Sequence, residues 1–108
     1  MISDQEAVAK LEDDLQRMFE EAFERKRDRF ASAGLTVRVD PLARAGDRGM
    51  YSSSVEATVS GPDGLPCDIA FSHIVYQAKI VIDLETFRSW VEQITDDLIR
   101  ENGPAGNA

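Results

Sequence analysis

Tyr51-Ser52-Ser53-Ser54-Val55-Glu56-Ala57-Thr58-Val59-Ser60-Gly61-Pro62-Asp63-Gly64 is the stretch that decides the architecture. Tyr51, Ser53, Val55, Ala57 and Val59 alternate with Ser52, Ser54, Glu56, Thr58 and Ser60. A period of two marks a strand with one covered face and one face turned to water. Gly61-Pro62-Asp63-Gly64 then sets a proline, whose φ is fixed, between glycines that accept left-handed φ, which makes a strong turn. The strand is therefore expected to hairpin into the segment that follows.

Downstream, Cys67, Ile69 and Phe71 alternate with Asp68, Ala70 and Ser72, whereas Ile74, Tyr76, Ala78, Ile80 and Ile82 share the other parity. The change of parity near Ser72-His73 predicts a break, bulge or bend, giving two strands at about 66–72 and 74–82. A single bent strand is the alternative. Upstream, Leu35, Val37 and Val39 alternate with Thr36, Arg38 and Asp40, a half-buried strand ended by Pro41. Residues 41–49, with Gly46 and Gly49, are expected to be a loop carrying Arg44 and Arg48.

Helices flank these strands. Val8, Leu11, Leu15, Met18, Phe19, Ala22 and Phe23 recur at three and four, which predicts one long helix over about 4–32. Ser3 and Glu6 have capping-box spacing at its start and Gly34 is its natural stop. Leu84, Phe87, Trp90, Val91, Ile94 and Leu98 form the stripe of a last helix over about 84–101, with Asp83 as its cap. The expectation is an α+β fold: a long N-terminal helix, a three- to four-stranded antiparallel sheet and a C-terminal helix, with both helices on one face of the sheet. Residues 1–102 are read as a single domain and 103–108 as a flexible tail.

The chain has 108 residues, 43% hydrophobic and 30% charged, ordinary for one globular domain. No apolar run approaches the ~20 residues of a membrane span, and the start lacks a signal-like core, so the expected compartment is the cytoplasm. The net charge of −8 repels nucleic acid and anionic membrane. It is unevenly placed: residues 1–24 carry −6, residues 25–48 carry +4, and residues 49–108 carry −6.

Few residues suggest chemistry. Cys67 and His73 are the only cysteine and histidine, and with Asp68 they make the one conceivable reactive group. On a continuous strand Cys67 and His73 would lie about 20 Å apart, too far to act as a pair. No phosphate-binding glycine loop and no thiolate cage is present, so no cofactor and no metal is expected. Glu92, Asp96, Asp97 and Glu101 form an acidic face at the end of the last helix. Arg25, Lys26, Arg27, Arg29, Arg44 and Arg48 form a basic set.

Geometry makes that basic set notable. At 100° per residue, Lys26 and Arg29 continue the apolar line of Leu15, Phe19 and Ala22. Two charges do not belong against a core, so the helix is expected to outrun its sheet there. A helix of ~29 residues is ~43 Å long, against ~17–20 Å for a typical strand. The surplus apolar surface predicts a second copy covering it as a homodimer; a kinked helix packing on the 41–49 loop is the competing expectation.

The segment Val55-Glu56-Ala57-Thr58-Val59-Ser60-Gly61 followed by Cys67-Asp68-Ile69 resembles the hairpin of the YbaB/EbfC nucleoid-associated family. That resemblance implies a dimer that binds nucleic acid, here through the basic segment 25–48. Against it stand the net charge and the lack of the family's acidic-proline step after the hairpin. The leading expectation is a non-enzymatic protein-interaction domain, an adaptor, chaperone-like or immunity-type protein, acting as a homodimer and receiving a partner with a basic face. The alternatives are the nucleoid-type binder and a small-molecule site or enzyme around Cys67 and His73.

Overall fold

A computed structural model describes residues 4–47, 50–77 and 84–103. Ser3, Arg48, Gly49, Asp83, residues 78–82 and all of the expected tail but Gly103 lie outside the described residues. The elements are α1 (Asp4–Arg25), α2 (Arg27–Ser32), β1 (Thr36–Val39), β2 (Ala43–Asp47), β3 (Met50–Ser60), β4 (Pro66–Gln77) and α3 (Leu84–Asn102). The fold is α+β, with a four-stranded antiparallel sheet and the helices packed on one of its faces. Among the described residues no helix is long and apolar enough to cross a membrane.

The hairpin forms as its alternation requires. Ser53, Val55, Ala57 and Val59 of β3 are all at most 1% exposed and line the face under the helices. Gly64 takes φ +80° in the turn, where its N–H donates to the Gly61 carbonyl. β4 pairs with β3 along its whole length, from Met50↔Gln77 to Ser60↔Pro66, with one irregularity at Val59/Ser60. The other edge of β3 is shared: β1 pairs with residues 57–60 and β2 with residues 50–54. The segment around Arg44, expected as loop, is thus the strand β2.

β4 corrects the expectation of two strands at 66–72 and 74–82. It is one strand of 12 residues, unbroken at Ser72-His73, where Ser72, His73 and Ile74 face Val55, Ser54 and Ser53. The parity change arises because β4 is apolar on both faces. Ala70 and Ile74 point to the helices, while Ile69, Phe71 and Val75 point away from them and are exposed.

The opening helix breaks at Lys26, so the single helix over 4–32 is corrected to α1 and α2. Lys26 adopts φ −104°, ψ 9°, and its N–H reaches the Phe23 carbonyl at 3.2 Å, a tightened turn. α2 closes on Gly34 at φ +77°, with the Leu35 N–H on the Phe30 carbonyl and the Gly34 N–H on the Ala31 carbonyl. These are the two bonds of a Schellman cap, sealed by contact between buried Phe30 and Leu35. The apolar stripe is covered within one chain: Leu15, Phe19, Ala22, Phe23 and Phe30 are each at most 4% exposed. They pack with Phe87, Val91 and Leu98 of α3 and the inner face of β3.

Candidate functional site

The basic and acidic sets predicted as separate sites meet each other. α1 packs on α3, which sets the turn at Lys26 beside residues 92–96. The Lys26 ammonium is 3.0 Å from Glu92 Oε2 and 3.1 Å from Asp96 Oδ1. It also donates to Thr95 Oγ1 at 2.6 Å and to the Glu92 carbonyl at 2.9 Å. Arg25 pairs with Glu92, and Arg29 with Asp96 at 2.8 Å. Lys26 is only 9% exposed, yet every contact around its amine is an acceptor, which meets the demand that a buried cation be paired. The Lys26 hydrogen bond, then that from Arg25, holds the Glu92 carboxyl below the usual carboxylate range. Arg29, then Lys26, does the same for Asp96.

The remaining members scatter. Arg27 pairs with Glu24 at 3.4 Å on the surface, and Arg44 lies 3.8 Å from Glu12 across the α1–β2 seam. Asp97 accepts from Arg100 at 2.7 Å, and Glu101 lies 3.9 Å from the same guanidinium. Cys67, His73 and Asp68 do not converge. Cys67 and His73 stand six residues apart on one extended strand, roughly 20 Å at strand rise, and Asp68 instead accepts from Asn102 at 2.9 Å. Among the described residues no group of three or more His, Cys, Asp or Glu side chains is placed to hold a metal ion.

Two surfaces not singled out by sequence leave apolar side chains uncovered. The first is the outer face of β4, where Ile69, Phe71 and Val75 are 52%, 51% and 58% exposed. His73 extends the row, and Cys67 sits at the irregularity opposite Val59/Ser60, its thiol on the Val59 carbonyl at 3.4 Å. Met50 of β3 is exposed beside it. Charged groups on or beside this face include an Arg38–Asp40 pair at 3.1 Å and Glu56. Ile69 and Phe71 alternate in the sequence, but alternation alone does not say which face is covered. Only the helices decide that.

The second is a groove of about 640 Å³ between α1, α2 and β1. α1 leans on α3 and β3, so Val37 and Val39, on the inner face opposite Val59 and Ala57, are only partly buried. Phe23, Phe30 and Leu35 complete the apolar floor, and Glu20, Glu21, Glu24 and Arg27 stand around it. Comparison with protein-family models, with curated proteins and with solved structures finds no match.

Proposed function

We propose that the chain is a non-enzymatic protein-interaction domain that acts as a homodimer, with the outer face of β4 as the contact between copies. The observation that carries this is the row Ile69, Phe71 and Val75, each more than half exposed and uncovered by any described element. The exposed parts of three such side chains offer roughly 300 Å² of apolar surface, the size of a functional patch rather than of scattered exposure. β4 also has no strand on its far edge among the described residues, and after Asp68 it carries none of the lysines or prolines that usually guard an edge. A two-fold axis would set the rows of two copies against each other, sheet on sheet.

Charge favours a second copy at this place over others. Each copy brings −8, and repulsion is less where a face centred on apolar side chains meets its own image. The support moves here from the opening helix, whose stripe is already sheltered by α3 and the sheet. A nucleic-acid role for segment 25–48 has weaker support, because Arg25, Lys26 and Arg29 are paired with Glu92 and Asp96, which offset two of their three charges.

Sedimentation at micromolar concentration tests the dimer. The natural chain is expected at twice its monomer mass, and an Ile69→Ser, Phe71→Glu variant at the monomer mass with an unchanged far-ultraviolet spectrum. A natural chain that sediments as a monomer throughout would remove the homodimer.

A further inference from the structure

We propose that the groove between α1, α2 and β1 is the docking site for a basic amphipathic helix of another protein. This rests on the reading of the chain as a protein-interaction domain, but on a surface separate from the β4 face. The groove lies above the sheet and beside α1. A strand added to β1 would pair in the plane of the sheet and leave this space empty. A helix fills it, lying against α1 at ordinary helix spacing with its apolar side on Val37 and Val39.

The chemistry of the wall specifies the sign of the partner. Along α1, Glu12, Gln16, Glu20 and Glu24 follow one another at intervals of four, so they form one ridge that turns by about 40° at each step. Two contacts place this line: Gln16 Nε2 lies 3.5 Å from the Asp40 carbonyl, just past β1, and Glu12 Oε1 lies 3.8 Å from Arg44 of β2. Glu20 and Glu24 border the groove together with Glu21 and with Arg27, whose guanidinium lies 3.4 Å from Glu24. An apolar floor rimmed by three carboxylates and one guanidinium, a net negative edge, complements leucines on one side of a helix and lysines or arginines on its flanks.

The occupant is not a second copy. α1 and α3 are themselves acidic helices, and Arg25, Lys26 and Arg29 of the basic segment are held by α3 of the same chain. The described helices of this chain therefore do not supply a free cationic face, and the proposal commits to a helix of a different protein.

The probe is a fluorescein-labelled model peptide of about four helical turns, with leucine at the i, i+3, i+4 and i+7 positions and lysine elsewhere. Its counterpart carries glutamate in place of lysine. Fluorescence anisotropy on the full chain is expected to show binding of the lysine peptide alone, weakened by salt. A Glu20→Lys, Glu24→Lys variant is expected to weaken it about tenfold or more, and Phe71→Glu to leave it unchanged. Amide resonances of residues 20–24 and 30–39 should shift on titration. Equal binding of both peptides, no binding, or shifts confined to α3 would overturn the proposal. So would resonances of the groove that move with protein concentration alone, which would make a second copy the occupant. A chain that sediments as a monomer yet binds the lysine peptide loses only the β4 dimer, and a dimer that ignores the peptide loses only the groove.

Discussion

A lysine in line with an apolar stripe has two ways out: the helix projects past its core, or the backbone turns until the amine finds anions. Lys26 takes the second, and the helix is cut in two for it. Its stem lies in the core boundary while the ammonium reaches four acceptors from α3, so it supplies packing and charge together. Lys26→Ala removes both and is expected to destabilise the fold by about 1–3 kcal/mol in thermal or denaturant unfolding. The loss stays below that of a fully buried pair because Glu92 and Asp96 are each more than 40% exposed and regain water. Arg27→Ala, losing one exposed contact with Glu24, is expected to change stability by no more than about 0.5 kcal/mol. The oddity of Lys26 is visible in the sequence as a charge at an apolar position. Its partners are not, since Glu92 and Asp96 lie 66 and 70 positions away and read as a solvated face.

At the scale of the element, β4 shows why periodicity alone can mislead. A parity change marks a break only when one face of a strand is apolar. β4 lies at the edge of the sheet with α3 above it and nothing described below it, yet both of its faces carry apolar residues. One continuous strand makes a prediction that two strands do not: neighbours alternate strictly between fold and surface. Ala70→Asp places a carboxylate at a site 1% exposed and is expected to cost more than about 3 kcal/mol, unfolding the chain. Phe71→Asp, one position on, is expected to keep a folded chain, as read by near-ultraviolet circular dichroism. The hairpin strand β3, by contrast, was fully legible, because Val55, Ala57 and Val59 leave only serine, threonine and glutamate for the other side.

At the scale of the whole molecule, the cluster at Lys26 ties the two ends of the chain together and makes stability depend on acid. Glu92 and Asp96 titrate lower in the folded state than in the unfolded chain, so the unfolded chain takes up protons first as pH falls. Their contribution is complete above about pH 5 and is lost as pH falls through and below the ordinary carboxylate range near 4. A Glu92→Gln, Asp96→Asn variant is expected to show a flatter fall of melting temperature over that interval, measured against the natural chain. What was determined along the sequence is what local pattern can state: amphipathic helices at both ends, a turn at Gly61–Gly64, strands between, and a strong negative charge. Hydrophobic period and turn chemistry are properties of neighbours, and neighbours are written in order. What waited for tertiary structure was every outcome that depends on distant segments meeting. The basic set closed on the acidic set, the spare apolar surface moved from the opening helix to the outer face of β4, and a groove opened beside β1. The cluster and the groove follow from how α1 packs on α3, and the exposed row from which face of the sheet the helices cover; the energy of that packing belongs to pairs of segments that no single stretch of sequence contains.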